Sequence, residues 1–216
     1  MNFNRVWVFD LDNTLHNASG HIFPHINRAM TAYLQTHLGL DEAAAGELRR
    51  HYWLRYGATL TGLMRHHATD PQHFLRATHN FPELRKQVVS EPGLRATLTR
   101  LPGRKLVFSN SPVHYSTAVL DALGIADLFD DVFSIEHTDY RPKPDRHGFL
   151  KLFRRNRLRA NACIMVEDTL ENLRTAKKRG MSTVWVARAA KLPGYVDFSI
   201  RNLLQLPRLA WRFNRA

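Results

Sequence analysis

The chain has 216 residues, of which 44% are hydrophobic and 23% are charged, a balance typical of a globular protein. Its length suits one domain, or one domain with a substantial insertion. No apolar run approaches the roughly 18 residues that a membrane-spanning helix needs, so the sequence predicts no membrane partner. Lysine and arginine outnumber aspartate and glutamate by 31 to 19, which gives a formal net charge of +12.

The amino-terminal pattern and the cysteine content predict a cytoplasmic protein. The chain leads directly into a strand pattern, without the charged and apolar segments of a secretory signal. Cys163 is the single cysteine of the sequence, so a disulfide framework is excluded and a reducing compartment is expected. We predict that Cys163 is a buried strand residue.

The positive charge would attract anions such as nucleic acid, acidic membranes or phosphorylated small molecules. The basic residues are spread along the chain, however, and their densest patches lie at 151–159, 177–179 and 201–216. Each patch is short and typical of a solvated helix face. The charge pattern therefore does not favour nucleic-acid binding as the primary function.

The predicted elements begin with a strand at 5–9, which is followed by a purely helical region. Apolar residues at helical spacing predict a helix that ends at Gly39, and Asp41 is a typical cap for the next helix. An Asp-Pro pair at 70–71 has the pattern of a cap and first position of a later helix. We assign residues 17–88 to a small helical domain that is inserted after the first strand.

From residue 92 onward, apolar runs alternate with helical patterns. The runs predict four further strands, at 105–108, 132–135, 162–166 and 183–187. Helices are predicted between them, at 113–123, 146–157 and 170–179. This alternation is the signature of a parallel sheet with right-handed crossovers. The predicted fold class is α/β, with a Rossmann-like parallel sheet core that carries helices on both faces and comprises residues 1–16 and 89–216.

Polar side chains follow several predicted strands at their carboxyl ends, where ligands bind in open parallel sheets. They are Asp10, Asp12 and Thr14 after the first strand, Ser109 and Asn110 after the second, Lys143 after the third, and Glu167 and Asp168 after the fourth. Carboxylates from two strand ends can share one hard cation, and an all-oxygen site favours Mg²⁺. The pattern therefore predicts a magnesium site at this edge of the sheet.

These residue types also suit phosphoryl transfer. An aspartate such as Asp10 can attack a phosphate that a cation holds beside it, and this forms an aspartyl-phosphate intermediate. The developing charge needs fixed positive groups and hydrogen-bond donors, and Ser109 and Lys143 are of the right types. A second carboxylate, Asp12, can protonate the leaving alkoxide and then deprotonate the attacking water.

The sequence resembles the haloacid dehalogenase superfamily of phosphohydrolases. Its four motifs are matched in order by VWVFDLDNT, LVFSN, RPKP and IMVED. The resemblance implies that Asp10 is the nucleophile and a metal ligand, and that Asp12 is the general acid/base and a ligand through its carbonyl. It makes Asp168 a metal ligand and Glu167 a ligand or an orienter of bound water. The phosphoryl group would be held by Thr14, Ser109, Asn110 and the catalytic lysine, Lys143.

The helical insertion resembles the cap of one branch of this superfamily, the pyrimidine 5′-nucleotidases. The stretch HYWLRYGATLTGL at 51–63 is similar to the YxxxYGxTxxGL pattern of that branch, and LGIADLFDDVF further along is also similar to it. The resemblance implies hydrolysis of UMP and CMP, with substrate contacts from Tyr56 and Thr59. Five histidines in this region are predicted to be exposed rather than zinc ligands, namely His51, His66, His67, His73 and His79.

Two features depart from the resemblance. Many relatives in the nucleotidase branch have two aspartates where this chain has Glu167 and Asp168, so direct ligation by the longer Glu167 stays open. The basic tail after Leu206 has no role that the family explains. Two alternative functions also stay open: a phosphatase of the same fold for phosphoglycolate, a sugar phosphate or another small metabolite, and a basic nucleic-acid-binding module. The sequence does not indicate an oligomeric state.

Overall fold

The computed structural model describes residues 5–187 and 191–214, and these form a six-stranded sheet with the strand order β3-β2-β1-β4-β5-β6. All neighbouring strands pair in parallel. The strands are β1 Val6–Phe9, β2 Arg104–Phe108, β3 Asp131–Phe133, β4 Cys163–Glu167, β5 Ser182–Val186 and β6 Phe198–Ile200. The predicted α/β fold with a parallel sheet core is therefore confirmed.

In the described part of the chain, six α-helices lie between the first two strands, three cross between later strands, and one follows the last strand. Between β1 and β2 lie α1 Ile22–Leu38, α2 Glu42–Tyr56, α3 Thr59–His67, α4 Pro71–Thr78, α5 Leu84–Gln87 and α6 Leu94–Arg100. The later helices are α7 Val113–Ala122, α8 Arg146–Asn156, α9 Leu170–Lys178 and α10 Leu206–Ala210. Within the described part of the chain, none of these helices combines the length and the apolar character of a membrane span.

Alternating side chains of β1 divide the core of the sheet domain into two layers. Trp7 and Phe9 pack with α6, α7 and α10 on one face, and Val6 and Val8 pack with α8 and α9 on the other. Cys163 is also fully buried, as predicted. Strands that are covered on both faces read as continuous apolar runs, which is why the sequence revealed them.

The inserted helices α1 to α4 have a hydrophobic cluster of their own, which includes Tyr33, Leu34, Leu63 and Phe74. Ile135, from the segment after β3, is buried in the same cluster and joins the helices to the sheet domain. We call α1 to α5 the cap. The assignment of the whole range 17–88 to a separate domain remains our proposal.

The predicted helix caps of this region are confirmed. The Asp41 carboxylate accepts a hydrogen bond from the Ala44 backbone N–H at 2.8 Å, and Asp70 accepts one from Gln72 at 3.0 Å. Each bond satisfies one of the backbone donors that a helix leaves unpaired at its start.

The predicted strand at 132–135 is wrong at its carboxyl end. The strand stops at Phe133, and residues Ile135–Thr138 form a 3₁₀ helix. Ile135 is apolar and β-branched, which favours a strand, but its side chain packs in the hydrophobic cluster of the cap. The tertiary contact overrides the local preference.

The carboxyl-terminal patch was predicted to be a solvated helix face, and this is wrong for its apolar residues. Leu206, Ala210 and Phe213 are buried against the Trp7 face of the sheet. Arg208 and Arg212 are exposed. The strand β6, which precedes this segment, was not predicted, because its three residues carry too little pattern. Residues 215 and 216 lie outside the described residues.

We predict opposite stability effects for two alanine substitutions in the cap. A Cβ atom at Gly62 would lie 2.2 Å from Cγ of the buried Tyr52, so Gly62→Ala should lower the free energy of unfolding by about 1–3 kcal/mol. A Cβ atom at Gly46, inside α2, meets no other atom within 4 Å, so Gly46→Ala should raise it by about 0.5–1 kcal/mol. Urea unfolding monitored by circular dichroism measures both changes, and equal effects would contradict the described packing of α2 on α3.

Candidate active site

The parallel register brings the predicted site residues together at the carboxyl edge of the sheet. The Asp10 backbone N–H donates to the Val166 carbonyl at 2.9 Å, and the Ser109 N–H donates to the Phe133 carbonyl at 3.0 Å. These bonds continue the pairing of β1 with β4 and of β2 with β3 by one residue. The side chains that follow these strands therefore face one shared site.

The ammonium group of Lys143 lies at the centre of this site. Lys143 Nζ donates to Asp10 Oδ1 at 2.7 Å, to Glu167 Oε2 at 2.9 Å and to the carbonyl of Phe108 at 2.7 Å. The lysine side chain is 1% exposed, so these are charge-assisted bonds in a site with little water. The three acceptors use all three protons of the ammonium group.

Asn110 holds the segment that carries this lysine. Asn110 Oδ1 accepts from the Lys143 backbone N–H at 2.7 Å, and Asn110 Nδ2 donates to the Lys143 carbonyl at 3.1 Å. This pair of bonds ties the loop after β3 to the end of β2. The amide that was predicted to bind a phosphoryl group is thus used here to position Lys143.

Three carboxylates lie close enough to share a cation. One oxygen from each of Asp10, Glu167 and Asp168 lies within 4.8 Å of the other two. Oxygen ligands of this kind suit a hard divalent ion such as Mg²⁺, so the residues fit the predicted metal.

Glu167 is already well supplied with hydrogen-bond donors. Its Oε1 accepts from the backbone N–H groups of Asp168 and Thr169, both at 3.1 Å. Its Oε2 accepts from Lys143 and from Asn172 Nδ2 at 3.0 Å. We therefore expect Asp168 to ligate a cation more readily than Glu167. The carboxylate of Glu167 mainly binds the ammonium group of Lys143 and fixes its position.

Burial and mutual repulsion set the protonation of the acidic groups. Burial, together with the charge of Glu167, raises the pKa of Asp10 to about 7, although Lys143 opposes the shift. Burial likewise raises the pKa of Glu167 to about 7 against the charge of Lys143. Burial alone would lower the pKa of Lys143, but the two carboxylates outweigh it and raise that pKa. A further cation beside Asp10 would favour its ionised and nucleophilic form.

Asp12 is held by three side chains that the sequence analysis did not identify. Its Oδ1 lies 2.9 Å from His16 Nε2 and accepts from the Tyr115 hydroxyl at 2.7 Å, and its Oδ2 accepts from the Ser111 hydroxyl at 2.6 Å. Burial would raise the pKa of Asp12, but the bonds and charge of His16 and the bonds from Ser111 and Tyr115 together lower it. His16 lies four residues after Asp12, so its contact with Asp12 could have been predicted from the sequence. Tyr115 lies 103 residues away, and no local pattern indicates its contact with Asp12.

Tyr115 also connects Asp12 to the segment of the cap between α4 and α5. The Tyr115 ring packs against the rings of His79 and Phe81, with centroid separations of 5.7 and 5.4 Å. His79 is buried, which contradicts its predicted exposure, and burial lowers its pKa to about 4. A neutral His79 can fill this apolar junction between the cap and α7 because it brings no charge.

Two predicted phosphate ligands have capacity to bind a further group. The Thr14 hydroxyl is buried and has no hydrogen-bond partner among residues 5–187 and 191–214. The Ser109 hydroxyl is also buried and accepts from the Ser111 backbone N–H at 3.0 Å, which does not use its own proton. Both groups can therefore donate to a ligand oxygen.

The two predicted substrate contacts of the cap already have partners. The Tyr56 hydroxyl lies 2.7 Å from His66 Nε2, and the buried Thr59 hydroxyl donates to the Arg49 carbonyl at 3.1 Å. A separate cleft of about 300 Å³ lies between α4 and the start of α7. It is lined by Gln72, Leu75, Arg76, Val113, His114 and Glu136.

The contacts of Lys143 predict a large loss of stability when its charge is removed. Lys143→Met leaves Asp10 and Glu167 buried without their cation, so the free energy of unfolding should fall by about 3–5 kcal/mol. The exposed pair of Lys151 with Asp139 serves as a control, because Lys151→Met should cost about 1 kcal/mol or less. Urea unfolding in EDTA compares the two, and similar losses would show that Lys143 is not central to the fold.

Known proteins share both the sequence pattern and the architecture. The chain is 28% identical to Phosphate metabolism protein 8 of Saccharomyces cerevisiae over 196 residues, which are 83% of this chain and 60% of that protein. The chain thus spans about 60% of the length of that relative.

Two solved structures have the same fold at low sequence identity. A HAD phosphatase from Thermococcus onnurineus has a TM-score of 0.69 at 21% identity, with 95% of this chain and 97% of that chain covered. L-2-haloacid dehalogenase from Xanthobacter autotrophicus has a TM-score of 0.62 at 18% identity, with 98% and 99% covered. The fold is therefore shared by phosphatases and dehalogenases alike.

The family itself follows from the sequence. The model of the haloacid dehalogenase-like hydrolases matches residues 5–180, which include all four strand-end motifs of the site. The chain belongs to the haloacid dehalogenase-like hydrolase family.

Proposed function

We propose that this hydrolase is a magnesium-dependent phosphomonoesterase that acts through an aspartyl-phosphate on Asp10. The observation that carries the proposal is the ammonium group of Lys143, which lies 2.7 Å from Asp10 Oδ1 in a buried site. A fixed cation beside a nucleophilic carboxylate allows an anionic substrate to approach it. The second acid, Asp12, supports a phosphatase because alkoxide leaving groups need a proton.

Each step has a residue of this chain to perform it. Asp10 attacks phosphorus, and the bond from phosphorus to the ester oxygen breaks as Asp12 gives that oxygen its proton. Asp12 then takes a proton from water, which attacks the phosphorus and releases phosphate from Asp10. Ser109 and Thr14 are suited to donate to the phosphoryl oxygens through both steps, and the charge of Lys143 would stabilise the anionic group beside Asp10.

The hydrogen bonds of Asp12 are compatible with both of its roles. In its ionised form Asp12 accepts from Ser111 and Tyr115, and this form is the base of the second step. In its protonated form it can instead donate to the Ser111 oxygen or to His16 Nε2, since both atoms can also accept. Both protonation states of Asp12 therefore have hydrogen-bond partners in this position.

Magnesium would be held by the carboxylates of Asp10 and Asp168 and by the backbone carbonyl of Asp12, with Glu167 as a ligand or an orienter of water. When bound, the ion would neutralise charge between the nucleophile and the phosphate and lower the barrier to their approach. The family resemblance and the cluster of Asp10, Glu167 and Asp168 support this assignment.

Pyrimidine nucleoside 5′-monophosphates such as UMP and CMP are the proposed substrates. The resemblance of residues 51–63 to the cap pattern of pyrimidine 5′-nucleotidases supports this choice. The relative from S. cerevisiae, by its name, belongs to phosphate metabolism, which agrees with phosphoester chemistry. In this proposal Tyr56 and Thr59 of the cap contact the nucleoside.

A second candidate is a phosphatase for another small phosphorylated metabolite. It is favoured by the engagement of the Tyr56 and Thr59 hydroxyls within the cap, which lowers their availability to a base. Phosphoglycolate and sugar phosphates are the compounds to compare.

Two isosteric variants should separate the nucleophile from the acid. With p-nitrophenyl phosphate, whose leaving group needs no proton, Asp12→Asn should still release about one p-nitrophenol per enzyme before turnover slows by about 10²–10⁴-fold. Asp10→Asn should show neither this burst nor turnover. Rapid-mixing absorbance measures both, and a burst from Asp10→Asn would refute the nucleophile assignment.

The substrate proposal is tested by phosphate release from UMP, CMP, dUMP, AMP, GMP, phosphoglycolate and glucose phosphates. We expect release from the pyrimidine nucleotides in Mg²⁺ and loss of release in EDTA, because the carboxylate cluster needs its cation. Preference for a purine or sugar phosphate would reject the pyrimidine assignment while the phosphatase chemistry stands. Activity that persists in EDTA would reject the role of magnesium.

A further inference from the structure

The basic patches that are dispersed in the sequence meet at one edge of the fold. All six strands are parallel, so their starts lie at the edge opposite the active site. Val6 pairs with both Arg104 and Cys163, and Ile164 pairs with Ser182, so β1, β2, β4 and β5 begin nearly level. We call six exposed cations at or near these starts the basic edge: Arg100, Arg154, Arg157, Arg159, Lys178 and Arg212.

Hydrogen bonds tie the separate segments of this edge together. Arg5 donates through Nη1 to the Asn161 carbonyl and through Nε to the Phe213 carbonyl, the latter at 3.0 Å. Arg104 donates to the Asn156 carbonyl at 3.3 Å. The end of α8, the turn before β4 and the carboxyl-terminal segment are therefore neighbours of the first two strands.

The charge of the basic edge is not compensated by acidic side chains. None of its six cations forms an ion pair within the part of the chain that the structure describes. The acidic groups nearby are already paired, Asp130 with Arg104, Asp131 with Arg155 and Asp197 with Lys177.

Helix electrostatics explain only part of this arrangement. Cations in the last turn of a helix interact favourably with its dipole, and this accounts for Arg100, Arg154 and Lys178. Arg157 and Arg159 lie beyond the end of α8 and gain little from that dipole. A cluster of cations without ion pairs repels itself and attracts anions, so an anionic partner would stabilise it.

We propose that the basic edge binds the phosphate backbone of single-stranded nucleic acid. The cations lie around the starts of β2, β1, β4 and β5, which span three strand spacings or about 15 Å, and a chain of several phosphates can cross this distance. Five of the six are arginines, whose planar groups bind phosphate through two hydrogen bonds.

An exposed aromatic ring lies beside Arg212 of the basic edge, and a nucleic-acid base can stack on a ring of this kind. Trp211 is 53% exposed, and the Arg212 guanidinium lies 5.5 Å from its ring centroid. Bases stack on such rings without sequence preference. A membrane surface fits less well, because peripheral binding gains much of its strength from a buried apolar face, whereas guanidinium and ammonium groups form this edge.

The test compares two triple variants that have the same net charge. Arg154→Gln, Arg157→Gln and Arg159→Gln remove three cations of the basic edge. Arg28→Gln, Arg50→Gln and Arg85→Gln remove three exposed arginines from the cap. Fluorescence anisotropy of a labelled 20-nucleotide single-stranded RNA without terminal phosphates measures binding at several salt concentrations, and thermal unfolding verifies the fold.

We expect the edge variant to lower the slope of log affinity against log salt by about 2, since each lost phosphate contact removes about 0.7. The cap variant should keep the wild-type slope. Equal losses in both variants would show that net charge alone attracts RNA, and would overturn the proposal. Absence of RNA binding, or binding to phosphatidylglycerol vesicles in preference to RNA, would overturn it as well. None of these outcomes depends on the phosphatase assignment.

Discussion

The rest of the active site depends on one buried ammonium group, that of Lys143. Two carboxylates from different strand ends can approach each other only because this cation lies between them, and a main-chain carbonyl takes its third proton. The carboxyl end of β1, the end of β4 and the loop after β3 are thereby fixed relative to one another. In the proposed mechanism the same group that permits the acidic cluster to exist would attract an anionic substrate, so stability and catalysis would share one interaction.

The sheet, and the site residues that directly follow its strands, could be predicted because both are encoded by local sequence. A strand covered on two faces must be a continuous apolar run, and a polar residue directly after it must lie at the carboxyl edge. Asp10, Ser109 and Glu167 follow from that reasoning without any knowledge of distant contacts. The same reasoning did not predict β6, because three residues are too few to form a pattern. It placed Ile135 in a strand wrongly, because an apolar side chain does not indicate which hydrophobic cluster it joins.

Features that depend on long-range contact were beyond prediction. Nothing near Tyr115 in the sequence indicates that its hydroxyl reaches Asp12, and nothing near Asn110 indicates that its amide holds the backbone of Lys143. The distribution of charge over the surface also depends on contacts between segments that are distant in the sequence. Basic patches separated by many residues looked like unrelated helix faces, but the parallel topology places the starts of the strands, and the turns before them, at one edge.

Tyr115 links the cap directly to Asp12, the proposed proton donor. Its hydroxyl donates to Asp12 and its ring packs against His79 and Phe81. The position of the segment between α4 and α5 therefore affects the orientation of the Asp12 carboxyl group. In the proposed mechanism, a compound that binds beside Asp10 but leaves this segment displaced would meet a poorly oriented proton donor. It would then occupy the site without being cleaved promptly. Discrimination between compounds would in this way be expressed in the rate of bond breaking, and a compound that binds tightly with the wrong shape would become an inhibitor instead of a substrate.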